Sequence, residues 1–137
     1  MKRLTLAMLP LFSACAGEPP QNIGIVSGQL TNCPDSPNCV CSFDTRESHF
    51  IEPINADLAA IEQILLSMSN VNIVKAEPNY LYAEFTSSLI GYVDDVEFLF
   101  DPAAGVSHVR SASRIGYSDM GVNRKRIESI RSAIGNP

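Results

Sequence analysis

The sequence predicts an α+β fold: a single domain in which a four-stranded, mostly antiparallel sheet is flanked by two helices. Three observations carry that expectation. Apolar residues recur at three- and four-residue spacing over 56–69, four runs between 71 and 113 alternate apolar and polar side chains, and a second helical spacing closes the chain over 119–134. A length of 137 residues allows one domain, at about 100–200 residues each. With 45% apolar and 18% charged residues the chain is of ordinary globular composition, which excludes a disordered or coiled-coil protein.

The elements follow in order. Asn55 precedes the first helix, Asp57 lies in its first turn where a carboxylate suits the helix dipole, and Leu58, Ile61, Ile64, Leu65 and Met68 form its apolar face. Residues 71–77 alternate, Glu77-Pro78-Asn79 turns the chain, and 80–86 alternate again, which reads as a hairpin. A third strand over 92–100 passes through the turn 101–105 into a fourth over 106–113. Asn123, Ile127, Ile130 and Ile134 share a face of the closing helix, with Asp119 or Ser118 as its cap and Gly135 just past its end. The expected sheet has one face covered by helices and the other wetter.

Ahead of this domain, Lys2 and Arg3 precede an eleven-residue apolar run ending in small residues, the order of a secretory signal peptide over 1–14. The run ends Leu11-Phe12-Ser13-Ala14-Cys15, which resembles a bacterial lipoprotein signal, although Phe12 stands where Leu, Val or Ile is usual. The resemblance implies cleavage before Cys15 and a lipid on it, with the membrane as partner. Ordinary secretion with an unpaired Cys15 is the alternative. Residues 15–27 then form the lipidated cysteine and a linker, and 28–137 the domain. No stretch approaches the roughly 20 apolar residues of a membrane span. Loss of Lys2 and Arg3 leaves eight basic against fifteen acidic side chains, so the expected mature chain is anionic and lacks a polybasic second anchor. The same balance argues against a nucleic-acid partner.

Cys33, Cys39 and Cys41 fall in a segment rich in turn residues. Export implies an oxidising compartment, so a Cys33–Cys39 disulfide is the leading reading. Closing its seven-residue loop contributes about 2–2.5 kcal/mol on a chain-entropy estimate. Cys41 is left over, and a redox site or a metal site remains open beside the structural bond. The spacing lacks the two-residue gaps of zinc knuckles, and His49 and His108 are remote in sequence, so no metal is expected.

Gly28-Gln29-Leu30, CPDSPNC at 33–39, YLYAEFTSSLIGYVDDVEFLFD at 80–101 and VRSASRIGYSDMGVNRKRIESIR at 109–131 resemble the bacterial and plastid family of domain of unknown function 1499, over about 28–134. Against that family's pattern Cys41 departs from a common Ser. The resemblance implies no established chemistry, and with the signal it implies a bacterial cell-envelope lipoprotein, membrane-anchored and facing the periplasm.

Charge placement gives a second candidate site. Arg110, Arg114, Arg124, Lys125 and Arg126 fall within seventeen residues, and Asp94, Asp95, Glu97 and Asp101 cluster on the preceding strand. Strand alternation puts Asp95 and Glu97 on one side and Asp94 on the other with Val96 and Phe98. Asp94 is therefore the carboxylate expected to be buried, with Arg110 or Arg114 as partner. Arg124 and Arg126, near a helix start, oppose its dipole and call for an anionic neighbour. Asp119 and Asn123 complete the cluster. It reads as an ion-pair network orienting the last helix, with an anion-binding Arg pocket and acid/base hydrolysis as alternatives.

Other residues point to structure. His108 on a strand, Ser111 and Ser113 without a Gly-x-Ser-x-Gly context, and Tyr80, Tyr82 and Tyr92 without a basic groove read as packing. Phosphate loops and dinucleotide fingerprints are absent, so no cofactor is expected. The expectation is an uncharacterised envelope lipoprotein acting as a non-catalytic structural or binding module, with an envelope protein or an anionic small ligand as possible partner.

Overall fold

The computed structural model of the protein describes residues 17–135. The signal peptide expected over 1–14 and Cys15, where lipidation is expected, lie outside the described residues.

The chain forms β1 (Ile25–Val26), β2 (Gln29–Leu30), β3 (Cys39–Cys41), α1 (Leu58–Leu66), β4 (Val71–Ala76), β5 (Tyr80–Thr86), β6 (Val93–Asp101), β7 (Val106–Ser113) and α2 (Val122–Ile134). The α+β architecture is as expected, but the main sheet has five strands in the order β3-β7-β6-β5-β4, and β1 and β2 add a two-stranded ribbon. Every neighbouring pair in both sheets is antiparallel. The fifth strand, β3, carries only Cys39, Val40 and Cys41, and it pairs with β7 through Cys39–Ala112, Val40–Ser111 and Cys41–Arg110. Three residues inside a turn-rich stretch show no alternation to read, so tertiary pairing alone makes them a strand.

Both helix starts also differ from expectation. Asp57 is the N-cap of α1 and accepts from the Ala60 amide at 2.9 Å, so the cap falls two residues after Asn55. At α2 the N-cap position is Gly121, with φ of +79° and no side-chain cap, and the helix starts at Val122. Asp119 still serves this end from two residues before it, accepting from the Gly121 amide at 2.8 Å and the Asn123 amide at 3.0 Å. Gly135 closes the helix in the left-handed conformation, as the sequence indicates.

Both helices lie on one face of the sheet. Ile61 and Leu65 of α1 and Ile127 and Ile130 of α2 pack with Leu81, Phe85, Val96, Phe98 and Val109, and burying such side chains contributes about 1.5–3 kcal/mol each. The other face is not wet. Leu30, Ile23, Phe43 and Cys33 pack with Tyr80, Tyr82, Leu99 and Ala112 and with Cys39 and Cys41 of β3. Part of the expected linker thus packs on the sheet. The second cover explains an inversion: Asp95 and Glu97 are 1% and 0% exposed, whereas Asp94 is only half-buried.

Candidate functional site

Because β6 alternates, Asp95 and Glu97 face the N-terminal cover beside Tyr80 and Tyr82 of β5 and Arg110 of β7. The Tyr82 hydroxyl donates to Asp95 Oδ1 at 2.6 Å, and the Tyr80 hydroxyl donates to Glu97 Oε1 at 2.7 Å. Burial, followed by these carboxylates, pushes both phenols far above their ordinary value, so both stay protonated donors. Arg114 bonds Asp95 through Nε and Nη2, and Nη2 also reaches Glu84 Oε1 at 2.6 Å. The partner expected for Asp94 therefore belongs to Asp95. Arg110 faces Glu97 instead, Nη1 to Oε2 at 3.6 Å, a charge contact too long for a hydrogen bond. Glu97 receives the Gly24 amide at 2.7 Å, yet burial outweighs these partners and raises its carboxyl above the usual range.

On the helix face Asp94 meets Arg126, whose Nη2 donates to Oδ2 at 2.5 Å. Arg126 lies over the Phe85 ring, 4.8 Å from guanidinium carbon to centroid, and its Nη1 donates to Ser111 Oγ and Asn123 Oδ1. Asn123 is fully buried, and its amide nitrogen donates to the Asn38 carbonyl, Ser113 Oγ and Asp119 Oδ2. Its oxygen accepts from Ser111 Oγ at 2.7 Å, so this serine faces an amide rather than a base. Arg124 Nη2 donates to the Phe50 carbonyl at 2.8 Å and the Ser48 carbonyl at 3.3 Å, so carbonyl dipoles supply what an anion was expected to.

The structure thus splits the expected cluster in two. Asp95, Glu97, Arg110 and Arg114 lie on one face, and Asp94, Asp119, Asn123 and Arg126 on the other, with Arg124 bonded to the 48–50 segment instead. Asp101 belongs to neither: its Oδ1 accepts from the Ala103 and Ala104 amides in the β6–β7 turn.

Asp94, Ser113 and Asp119 contribute to a groove of about 390 Å³ at the end of the sheet. Ser87, Ile90 and Tyr92 form one wall, from the β5–β6 connection. Ile115, Gly116, Ser118 and Met120, from the β7–α2 connection, and Val122 at the start of α2 form the other. Ile90, Tyr92, Ile115, Met120 and Val122 are all exposed large apolar residues, and Met120 holds a φ of +54° that few side chains adopt. Sequence reasoning missed this rim. The available signal was the presence of Leu89, Ile90 and Ile115 in turn-like segments, outside both periodic patterns; Met120 falls within the expected closing helix, which in fact starts at Val122.

The cysteine site is structural in arrangement. Cys33 and Cys39 are bonded, and Cys41 is free and fully buried, with burial raising its thiol pKa above the ordinary value. Asp44, another residue without a sequence signal, braces this loop by accepting from the Cys33 amide at 3.1 Å and from Arg46 Nη2 at 2.7 Å. His49 Nδ1 lies 3.0 Å from the Cys39 carbonyl, and His108 stacks on Phe43 at 4.2 Å. Among the described residues no three His, Cys, Asp or Glu side chains gather where they could hold a metal, and no helix is long and apolar enough to cross a membrane.

A family model described as protein of unknown function (DUF1499) matches residues 29–134. No curated protein and no solved structure matches the chain.

Proposed function

The chain belongs to the DUF1499 family, and from that premise we propose that it is a lipid-anchored protein of the bacterial cell envelope whose periplasmic domain is a non-catalytic binding module. The observation that carries the reading is the internal pairing of its ionisable side chains. Asp94 is bonded to Arg126, Asp95 to Arg114 and Tyr82, and Glu97 to Tyr80 and the Gly24 amide. Charges committed in this way orient β6, β7 and α2 against one another and are not offered to a reacting group. The surface left for a partner is the apolar-rimmed groove, which has the concave, mostly apolar character of binding sites with a few polar groups on the floor.

The anchor is tested by expressing the full chain in a bacterial host and following it through membrane fractionation. Wild type should sediment with membranes, and Cys15→Ser should stay uncleaved or turn soluble. The module is tested by melting curves with a panel of phosphorylated, carboxylated and sulfated compounds. No shift is expected, because Arg114, Arg124 and Arg126 already donate to protein oxygens and Arg110 is buried 3.6 Å from Glu97 without a hydrogen bond to it, out of reach of solutes. An anion-dependent rise in Tm that disappears in Arg124→Ala would favour an anionic small-ligand site instead.

A further inference from the structure

We propose that the apolar rim of the groove is a membrane-docking face, laid on the lipid surface by the tether at Cys15. The inference rests on the lipid-anchor reading and extends it to the orientation of the domain.

Gly17, the first described residue, is fixed to one wall of the groove. Arg114 Nη1 donates to its carbonyl at 3.4 Å, and a Cβ at Gly17 would stand 3.1 Å from Ile115 Cγ2 and 3.5 Å from Arg114 Cβ, at a φ of +72°. Only glycine allows so close an approach in that conformation. Two residues of chain span at most about 7 Å. A lipid carried two residues before Gly17 would therefore be tethered within about 7 Å of it, at the end of the sheet where the apolar side chains emerge.

The two ends of the sheet differ in kind. At the groove end, Leu89 is 96% exposed and Met120 is 86% exposed, with Ile90, Tyr92 and Tyr117 beside them. At the other end, the turns 77–79 and 101–105 contain no large apolar residue, and the nearby β1–β2 ribbon exposes Ile25 and Val26 less fully, at 46% and 62%. Leucine, isoleucine and methionine suit the acyl boundary, and tyrosines suit the headgroup level.

Charge selects the kind of lipid. Asp94 is bonded to Arg126 and Asp119 to the α2 amides, and the expected mature chain is anionic. The face thus offers apolar insertion rather than attraction to anionic headgroups, which fits a zwitterionic lipid surface.

The chain has no Trp, so single-Trp variants report their own surroundings. Leu89→Trp marks the docking face. Ala104→Trp marks the far turn, beyond the nine residues of β6, which extend about 30 Å. Each full-length variant is purified lipidated and reconstituted in phosphatidylcholine vesicles with or without brominated acyl chains. Leu89→Trp should be quenched several-fold more than Ala104→Trp. Equal quenching overturns the orientation, and so does a blue-shifted but unquenched Leu89→Trp, which would mean that protein, such as a second copy of the chain, covers the rim. Mass spectrometry of the N-terminal peptide from the same samples separates the failures. An unmodified Cys15 removes the anchor and the docking together, and a lipidated Cys15 with unquenched Leu89→Trp overturns the docking alone.

Discussion

Arg114 holds Asp95 through two parallel hydrogen bonds, Nε to Oδ2 at 2.9 Å and Nη2 to Oδ1 at 2.8 Å, with both side chains buried. Bidentate geometry of this kind fixes the relative position of two elements as well as their charge. Here it ties the end of β7 to β6, and a third bond to Glu84 extends the tie to β5.

Removal of one partner strands the other in a site closed to water. Arg114→Ala is expected to cost about 3–5 kcal/mol in urea unfolding. Arg114→Lys should recover only part of that, since a single ammonium cannot reproduce the fork. A loss under about 1 kcal/mol for Arg114→Ala would show that solvent reaches Asp95 in the folded protein.

Asp94→Ala should be milder, at about 1–3 kcal/mol, the scale of a hydrogen bond to a charged group. Asp94 and Arg126 retain 13% and 12% side-chain exposure, and Arg126 keeps Ser111, Asn123 and the Phe85 ring. If Asp94→Ala matched or exceeded Arg114→Ala in the same assay, the assignment of the buried pair to Asp95 would fail.

These two carboxylates mark how far the sequence could be read. Strand alternation correctly separates Asp94 from Asp95 and Glu97, because the period of two is local. Which side is drier depends on the cover formed by Leu30, Ile23 and Phe43, and that segment carries no periodic signal. The partner of Asp94 was equally hidden. Arg126 reaches it only because Ile127 and Ile130 dock α2 on the sheet, a tertiary fact that outranks proximity in sequence. The pairing of Cys33 with Cys39, by contrast, was legible from their short turn-rich loop together with the expected export.

The Cys33→Ser/Cys39→Ser double variant should lose about 2 kcal/mol, from the closure entropy of its short loop. Cys41 should resist alkylation in the native protein and react only on unfolding, because it is wholly buried and its thiol is harder to ionise than usual. Peptide mapping that joins Cys41 to Cys33 or Cys39, or rapid native alkylation of Cys41, would contradict this arrangement.

Asp44 and Asp119 set the acid limb of stability. The Arg46 guanidinium, bonded to Asp44, is the main cause of a carboxyl held well below its ordinary 3.8, and Asp119 is lowered by bonds from Asn123 and Gly121 that outweigh its burial. A lowered folded pKa means that the unfolded chain takes up protons first as pH falls, so the stabilisation present above 3.8 is lost below it. Asp44→Asn should flatten the fall in unfolding free energy between neutral pH and pH 3. An unchanged slope would mean that Arg46 does not hold the carboxylate in solution.

Glu97 works in the opposite direction. Its burial outweighs the Gly24 amide, the Tyr80 hydroxyl and Arg110, which places its folded pKa above the ordinary 4.5. The folded state therefore keeps this proton longer than the unfolded chain, and the contribution is complete below 4.5 and lost as pH rises through the folded value. Glu97→Gln retains an oxygen for the Gly24 and Tyr80 donors and removes the titration. It also brings an amide nitrogen toward Arg110 Nη1, now 3.6 Å from Oε2, so the absolute stability should drop. The diagnostic is the pH slope. Above pH 4.5 the variant should be flatter than wild type, while below 3.8 both should share the limb set by Asp44 and Asp119. Parallel curves between pH 4.5 and 7 would show that Arg110 neutralises Glu97 despite the long contact, and would make that pair an ion bridge of full strength.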